Sequence, residues 1–112
     1  MIVDLCFLEK FTKGDTKKMQ RYINLYLDVA PKTFAQMQQN LKDKDWEQLR
    51  IHAHSLKPQA EFMGIQELKN ALIAIEDSIK SNKCENCEAL YNSAFEIHKT
   101  SEVILKQKLE SI

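Results

Sequence analysis

Asp45-Trp46-Glu47-Gln48-Leu49-Arg50-Ile51-His52-Ala53-His54-Ser55-Leu56-Lys57-Pro58-Gln59-Ala60-Glu61-Phe62-Met63-Gly64 is the stretch that decides the fold. Trp46, Leu49, Ala53, Leu56, Ala60 and Met63 recur at alternating spacings of three and four, which gathers them on one face of a helix. Asp45 has the side chain of an N-cap, and Gln48 stands where a capping box wants its reciprocal partner. Gly64 falls where a left-handed residue closes a helix. The reading is an amphipathic helix over about 45–63, with one face for a core.

The opposite face carries Glu47, Arg50, His54, Lys57 and Glu61. His54 therefore projects into solvent, and Lys57 lies one turn on, close enough to meet an anion on the ring. An imidazole is a nucleophile in its neutral form, so this pair suits a phosphoryl acceptor with a charge partner. His52 lies about 160° round the helix from His54, at about 100° per residue. It borders the core seam, reads as a partly buried hydrogen-bonded side chain, and is not nominated. Glu61 is a candidate resting partner for Lys57. Ile51, Ser55, Pro58 and Phe62 share the flank between the seam and His54, either widening the packed face or forming an apolar docking patch.

Ala53-His54-Ser55-Leu56-Lys57, followed by Ala60 and by Met63-Gly64, resembles the signature of histidine-containing phosphotransfer (HPt) domains. Gly14-Asp15, Lys44-Asp45 and Ile65-Gln66-Glu67-Leu68 extend the likeness over most of the chain. Pro58 departs from it, because many members have glycine directly after the lysine. The resemblance implies a phosphorelay intermediate. His54 would take a phosphoryl group from a receiver-domain aspartate through its outer ring nitrogen and pass it to another receiver. Lys57 would steady the phosphoryl group. Arg50, Ile51, Ser55, Pro58, Glu61, Phe62 and Gly64 would meet the partner, Gly64 by keeping the surface low. Receivers of response regulators and hybrid kinases would be the partners and would supply magnesium, so no intrinsic cofactor and no enzyme activity are expected. The rival readings are a receiver-binding bundle with a silent His54, and a metal-binding helix bundle.

The rest of the chain fits one all-α domain over residues 1–112. Lys plus Arg and Asp plus Glu both number 16, so no net charge calls for nucleic acid. Two glycines and two prolines leave room for few turns, so long helices are expected. No run is apolar enough to span a membrane, and no signal peptide is indicated. Three cysteines fit a reducing cytoplasm. Cys84-x-x-Cys87 lacks a second close pair for zinc, and Cys87 reads as a core residue.

In order, the pattern predicts a short helix within 1–13 and a second over about 16–30 capped by Asp15. Pro31 opens a third over 31–43. The histidine helix follows, then one from Ile65 to about Ser81, and a last over about 84–109. Asn82 is either a stop or the last helix's cap. Short connections make neighbours antiparallel. The expected architecture is an up-and-down four-helix bundle from about 31 to 109, with two short N-terminal helices packed on it, acting as a monomer. Pro58 removes a helix donor from the carbonyl of His54, which costs about 3 kcal/mol unless compensated, so a bend or a bound water is expected there while the helix persists to about Met63.

Overall fold

The structure, a computed structural model, describes residues 2–112. Met1, the first residue of the expected domain, lies outside them. Among the described residues the chain forms helices and no strands: α1 (Cys6–Thr12), α2 (Thr16–Asp43), α3 (Trp46–Phe62), α4 (Gln66–Lys80) and α5 (Cys87–Ser111), with a 3₁₀ turn at Cys84–Asn86 before α5. The bundle measures 43 × 20 × 20 Å, and its long axis is the length of α2. No described helix is long and apolar enough to cross a membrane.

Local chemistry sets the boundaries. Asp15 accepts a hydrogen bond from the Lys18 amide at 3.1 Å, and Asp45 accepts from the Gln48 amide at 3.2 Å, so both expected caps are in place. Lys13, Lys44 and Asn82 take left-handed angles at the helix ends, as Gly64 does. Asn82 is thus the stop of α4. The connections are as short as antiparallel packing requires.

One element differs from expectation. Residues 16–30 and 31–43 form a single helix, and Pro31 sits inside it. Met19, Ile23, Tyr26, Ala30, Phe34 and Met37 are all buried and continue one seam straight past the proline. Their packing outweighs the lost hydrogen bond at the Leu27 carbonyl. The bundle's first long helix therefore begins at Thr16, and only one short helix, α1, is added to the four.

The core runs the length of the bundle through Leu49, Leu56, Leu68, Leu72, Ile75, Cys87, Ala94 and Leu105. A polar chain of contacts crosses it. The Tyr26 hydroxyl and His98 Nδ1 lie 2.8 Å apart, and His98 Nε2 stands 3.5 Å from Glu102 Oε2. Both contacts are satisfied if Nε2 carries the proton toward Glu102 and Tyr26 donates to Nδ1. The ring stacks on Phe34 at 4.8 Å and is 1% exposed.

Burial holds His98 below its ordinary pKa of 6.5, against an opposing pull from Glu102. The unfolded chain then binds a proton more readily than the fold. Stability is complete above 6.5 and falls as pH drops through it, by up to about 1.4 kcal/mol per pH unit for this one group. Urea unfolding followed at pH 7.5 and 5.5 should show that loss, and His98→Gln should make the dependence shallower. An equal slope in the variant would remove His98 as its source.

Candidate functional site

Leu49, Ala53, Leu56, Ala60 and Met63 are buried, while Glu47, His54 and Glu61 are exposed. Helix α3 thus turns its two faces as its pattern requires, packing against α2 on one side and α4 on the other. It runs unbroken to Phe62 with Pro58 inside it. Pro58 is exposed, and it leaves the His54 carbonyl without its helical donor. His52 borders the core, with Nδ1 2.7 Å from Asn40 Oδ1 on α2.

The His54 side chain is 65% exposed, yet its ring is fixed. Nδ1 lies 3.0 Å from Glu76 Oε2. A carboxylate only accepts, so Nδ1 carries the proton and donates it. In the neutral ring the lone pair is then on Nε2, on a side chain that is mostly exposed. Lys57 Nζ stands 2.7 Å from the other oxygen, Glu76 Oε1, which has no aligned hydrogen-bond donor besides this ion contact. One carboxylate on α4 therefore holds both His54 and Lys57 of α3.

Glu76 itself is 4% exposed. Burial pushes its carboxyl up, but Lys57 and His54 together outweigh burial and hold it below its ordinary value. It is an anion under neutral conditions, with one cation and one ring N–H to satisfy it. Glu61, the expected partner of Lys57, is instead bound by Lys69 at 3.1 Å. The correction is geometric: the Lys57 stem leans toward α4, where a buried charge attracts it more strongly than a solvated one. Arg50 pairs with Glu47 on its own helix.

On the other side of His54 lie Ile51, Ser55 and Pro58, all exposed. Ser55 is turned back on the His52 carbonyl at 2.9 Å. Phe62 is half-buried. It stacks on Tyr22 of α2 at 5.4 Å and meets the edges of Phe7 and Phe11 of α1 at 5.3 and 5.1 Å. Phe7 and Phe11 remain 52% and 53% exposed. Phe62 thus both packs and shows a face, and α1 enlarges the apolar flank beyond what α3 offers alone.

Gly64 has a structural duty. Its φ is 66°, its carbonyl accepts from the Asp4 amide at 3.1 Å, and a Cβ there would lie 1.6 Å from the Asp4 carbonyl oxygen. The N-terminal segment covers it, so it is not an open approach to the histidine.

A family model described as Hpt domain matches residues 21–111. The chain belongs to the Hpt domain family. No curated protein and no solved structure matches it. Hpt domains are phosphocarrier modules of phosphorelays that interact with receiver domains. The match leaves out α1, which the fold nevertheless joins to the Hpt bundle through Phe62, while Gly64 holds Asp4 just before it.

The pattern of α3 pointed to His54 and Lys57 but not to Glu76, whose carboxylate brings them together. A signal for it exists. Glu76 follows Ile75 and lies one turn beyond Leu72, so it is a charge set into the apolar stripe of α4.

Gly64→Ala should destabilise the Hpt bundle by more than the about 1 kcal/mol of a lost left-handed glycine, because the Asp4 backbone must also move. Thermal unfolding measures this. Stability equal to that of the parent chain would remove the close packing seen here.

Proposed function

We propose that this Hpt domain accepts a phosphoryl group on Nε2 of His54 from a receiver aspartate and returns it to the aspartate of another receiver. The observation that supports this most directly is the His54–Glu76 hydrogen bond, which turns Nδ1 toward α4 and so puts the lone pair of the neutral ring on Nε2, on a side chain that is 65% exposed. In the forward step the Nε2 lone pair attacks phosphorus in line. The N–P bond forms as the bond from phosphorus to the aspartyl oxygen breaks, and the carboxylate leaves with the electron pair. Lys57 meets the charge on the phosphoryl oxygens.

Most of the remaining apparatus comes with the receiver, including the magnesium ion that neutralises phosphoryl charge. The chain is a carrier rather than an enzyme. It acts as a monomer in the cytoplasm, with residues 1–112 as one unit. The flank of Ile51, Ser55, Pro58 and Phe62, widened by Phe7 and Phe11, is the apolar half of the docking surface, and Arg50 and Glu61 form a charged half. Gly64 supports this surface from behind by holding the N-terminal segment. A silent histidine is the weaker reading, because Pro58 does not interrupt the helix that presents the ring.

Two experiments separate chemistry from docking. His54→Gln should abolish acid-labile, alkali-stable phosphate on incubation with a phosphorylated receiver, while helicity and thermal midpoint stay close to those of the parent. Label that persists, or that depends on His52 or His98, would sink the assignment. Phe11→Glu should weaken receiver binding about tenfold or more, which is about 1.4 kcal/mol for an exposed interface aromatic. It should leave phosphorylation by the small donor phosphoramidate unaltered. Unchanged receiver binding would exclude α1 from the interface.

A further inference from the structure

The buried carboxylate of Glu76 faces two demands when a phosphoryl group arrives. In the resting bundle Oε1 is served by Lys57 and Oε2 by the His54 N–H. A phosphoryl group on Nε2 competes for the Lys57 ammonium. Once Lys57 turns to it, Oε1 has no other partner, and a buried anion without a cation is strongly disfavoured. The ring is the one group in place to supply the missing charge.

Resting on the reading of His54 as the acceptor, we propose that Glu76 is a positioning residue that makes phosphorylation proton-retaining: it keeps the phosphohistidine as an N-phosphoimidazolium while Lys57 is released to the phosphoryl group. The bonds balance. Neutral imidazole, with its proton on Nδ1, uses the Nε2 lone pair to form the N–P bond. The ring becomes cationic, and no proton leaves. Glu76 now pairs with that cation through Oε2. On the return step the N–P electrons go back to Nε2, and the leaving group is neutral imidazole. If the Nδ1 proton were lost first, the leaving group would be imidazolate, a far stronger base and a far poorer one to expel. Glu76 thus preserves the transferable form of the carrier as pH rises.

The charges that face the ring are few. Glu76 comes from α4 and Lys57 from α3. Arg50, one turn before His54, feels the charge of Glu76 but is engaged by Glu47. Glu61 is engaged by Lys69 of α4. Among the described residues no charged side chain of α1, α2 or α5 makes an ion pair with His54, Lys57 or Glu76.

The test is a ring titration followed by nitrogen NMR after phosphorylation with phosphoramidate, with the same phosphorylated chain in denaturant as the reference. The folded phosphohistidine should lose its Nδ1 proton at higher pH than the denatured one. Glu76→Gln keeps an acceptor for Nδ1 but removes the charge, and should lower that pH by about 1–3 units. Transfer to a receiver should then fall about tenfold per pH unit above the lowered value in the variant, while the parent chain holds its rate. Lys57→Gln should slow transfer by a factor that does not vary with pH, and leave the ring titration high. A ring that titrates alike folded and denatured overturns the proposal, and this comparison needs no variant. So does a folded Glu76→Gln protein with the parent's ring titration. A chain that takes no phosphate on His54 overturns the acceptor assignment and the proposal with it. A phosphorylated ring without the shift overturns the proposal alone.

Discussion

A carboxylate sunk between two helices organises the working face of this bundle. Among the described residues Glu76 is the one acidic side chain that is buried. A buried anion persists only with partners on every side, and both of its partners belong to α3. The contact therefore fixes how α3 is rotated against α4, and with it which side of α3 meets solvent. A smaller rotation would satisfy the apolar seam equally well, since Leu, Ala and Met tolerate slippage. The carboxylate does not, because its two oxygens must each find a donor. Its carboxyl is held below the ordinary value of 4.5, so this cross-link is complete above that pH and is lost as acid protonates it.

The buried histidine of the core plays the opposite part. Glu76 is charged, sits under the surface and ties down side chains that reach outward. His98 is sealed among Phe34, Tyr26 and Phe95, and burial favours its neutral form. The first holds the His54 ring in one orientation. The second joins α2 to α5 across the bundle through Tyr26. Between them, Phe62 and Gly64 anchor the end of α3 to the N-terminal segment, so the helix that presents His54 is gripped by α4, by α2 and by α1. Such a grip sets the geometry of the His54 ring before any partner arrives.

Much of this was legible in the residues. The spacing of apolar positions marked α3 and α4, Asp15 and Asp45 announced their helices, and Gly64 its left-handed end. His54 and Lys57 stood out because nothing apolar explained their face. Three features escaped for physical reasons. Pro31 reads as a helix start because proline so often is one, and only the seam through Ala30 and Phe34 shows packing prevailing over that preference. The partner of Lys57 could not be chosen from its own helix: Glu61 has the right spacing, but Glu76 has the lower dielectric. The place of Phe7 and Phe11 depended on how a short helix folds back, and that is settled by Phe62 and Tyr22, residues far along the chain from them. Tertiary pairings carry no periodicity, and these were the ones missed.

Pro58 brings the two kinds of constraint together. It removes the donor that would hold the His54 carbonyl, so the backbone at His54 is supported less than at any ordinary helical position. The helix nevertheless continues to Phe62, because Leu56, Ala60 and Met63 stay packed beneath it. The ring of His54 therefore owes its orientation to a hydrogen bond from another helix rather than to the regularity of its own. Loosened backbone and fixed ring are compatible because the one concerns the His54 carbonyl and the other Nδ1, which is held from α4. The departure at Pro58 leaves the His54–Glu76 contact intact for that reason: the partner that orients the ring lies on α4, outside the motif that the proline alters.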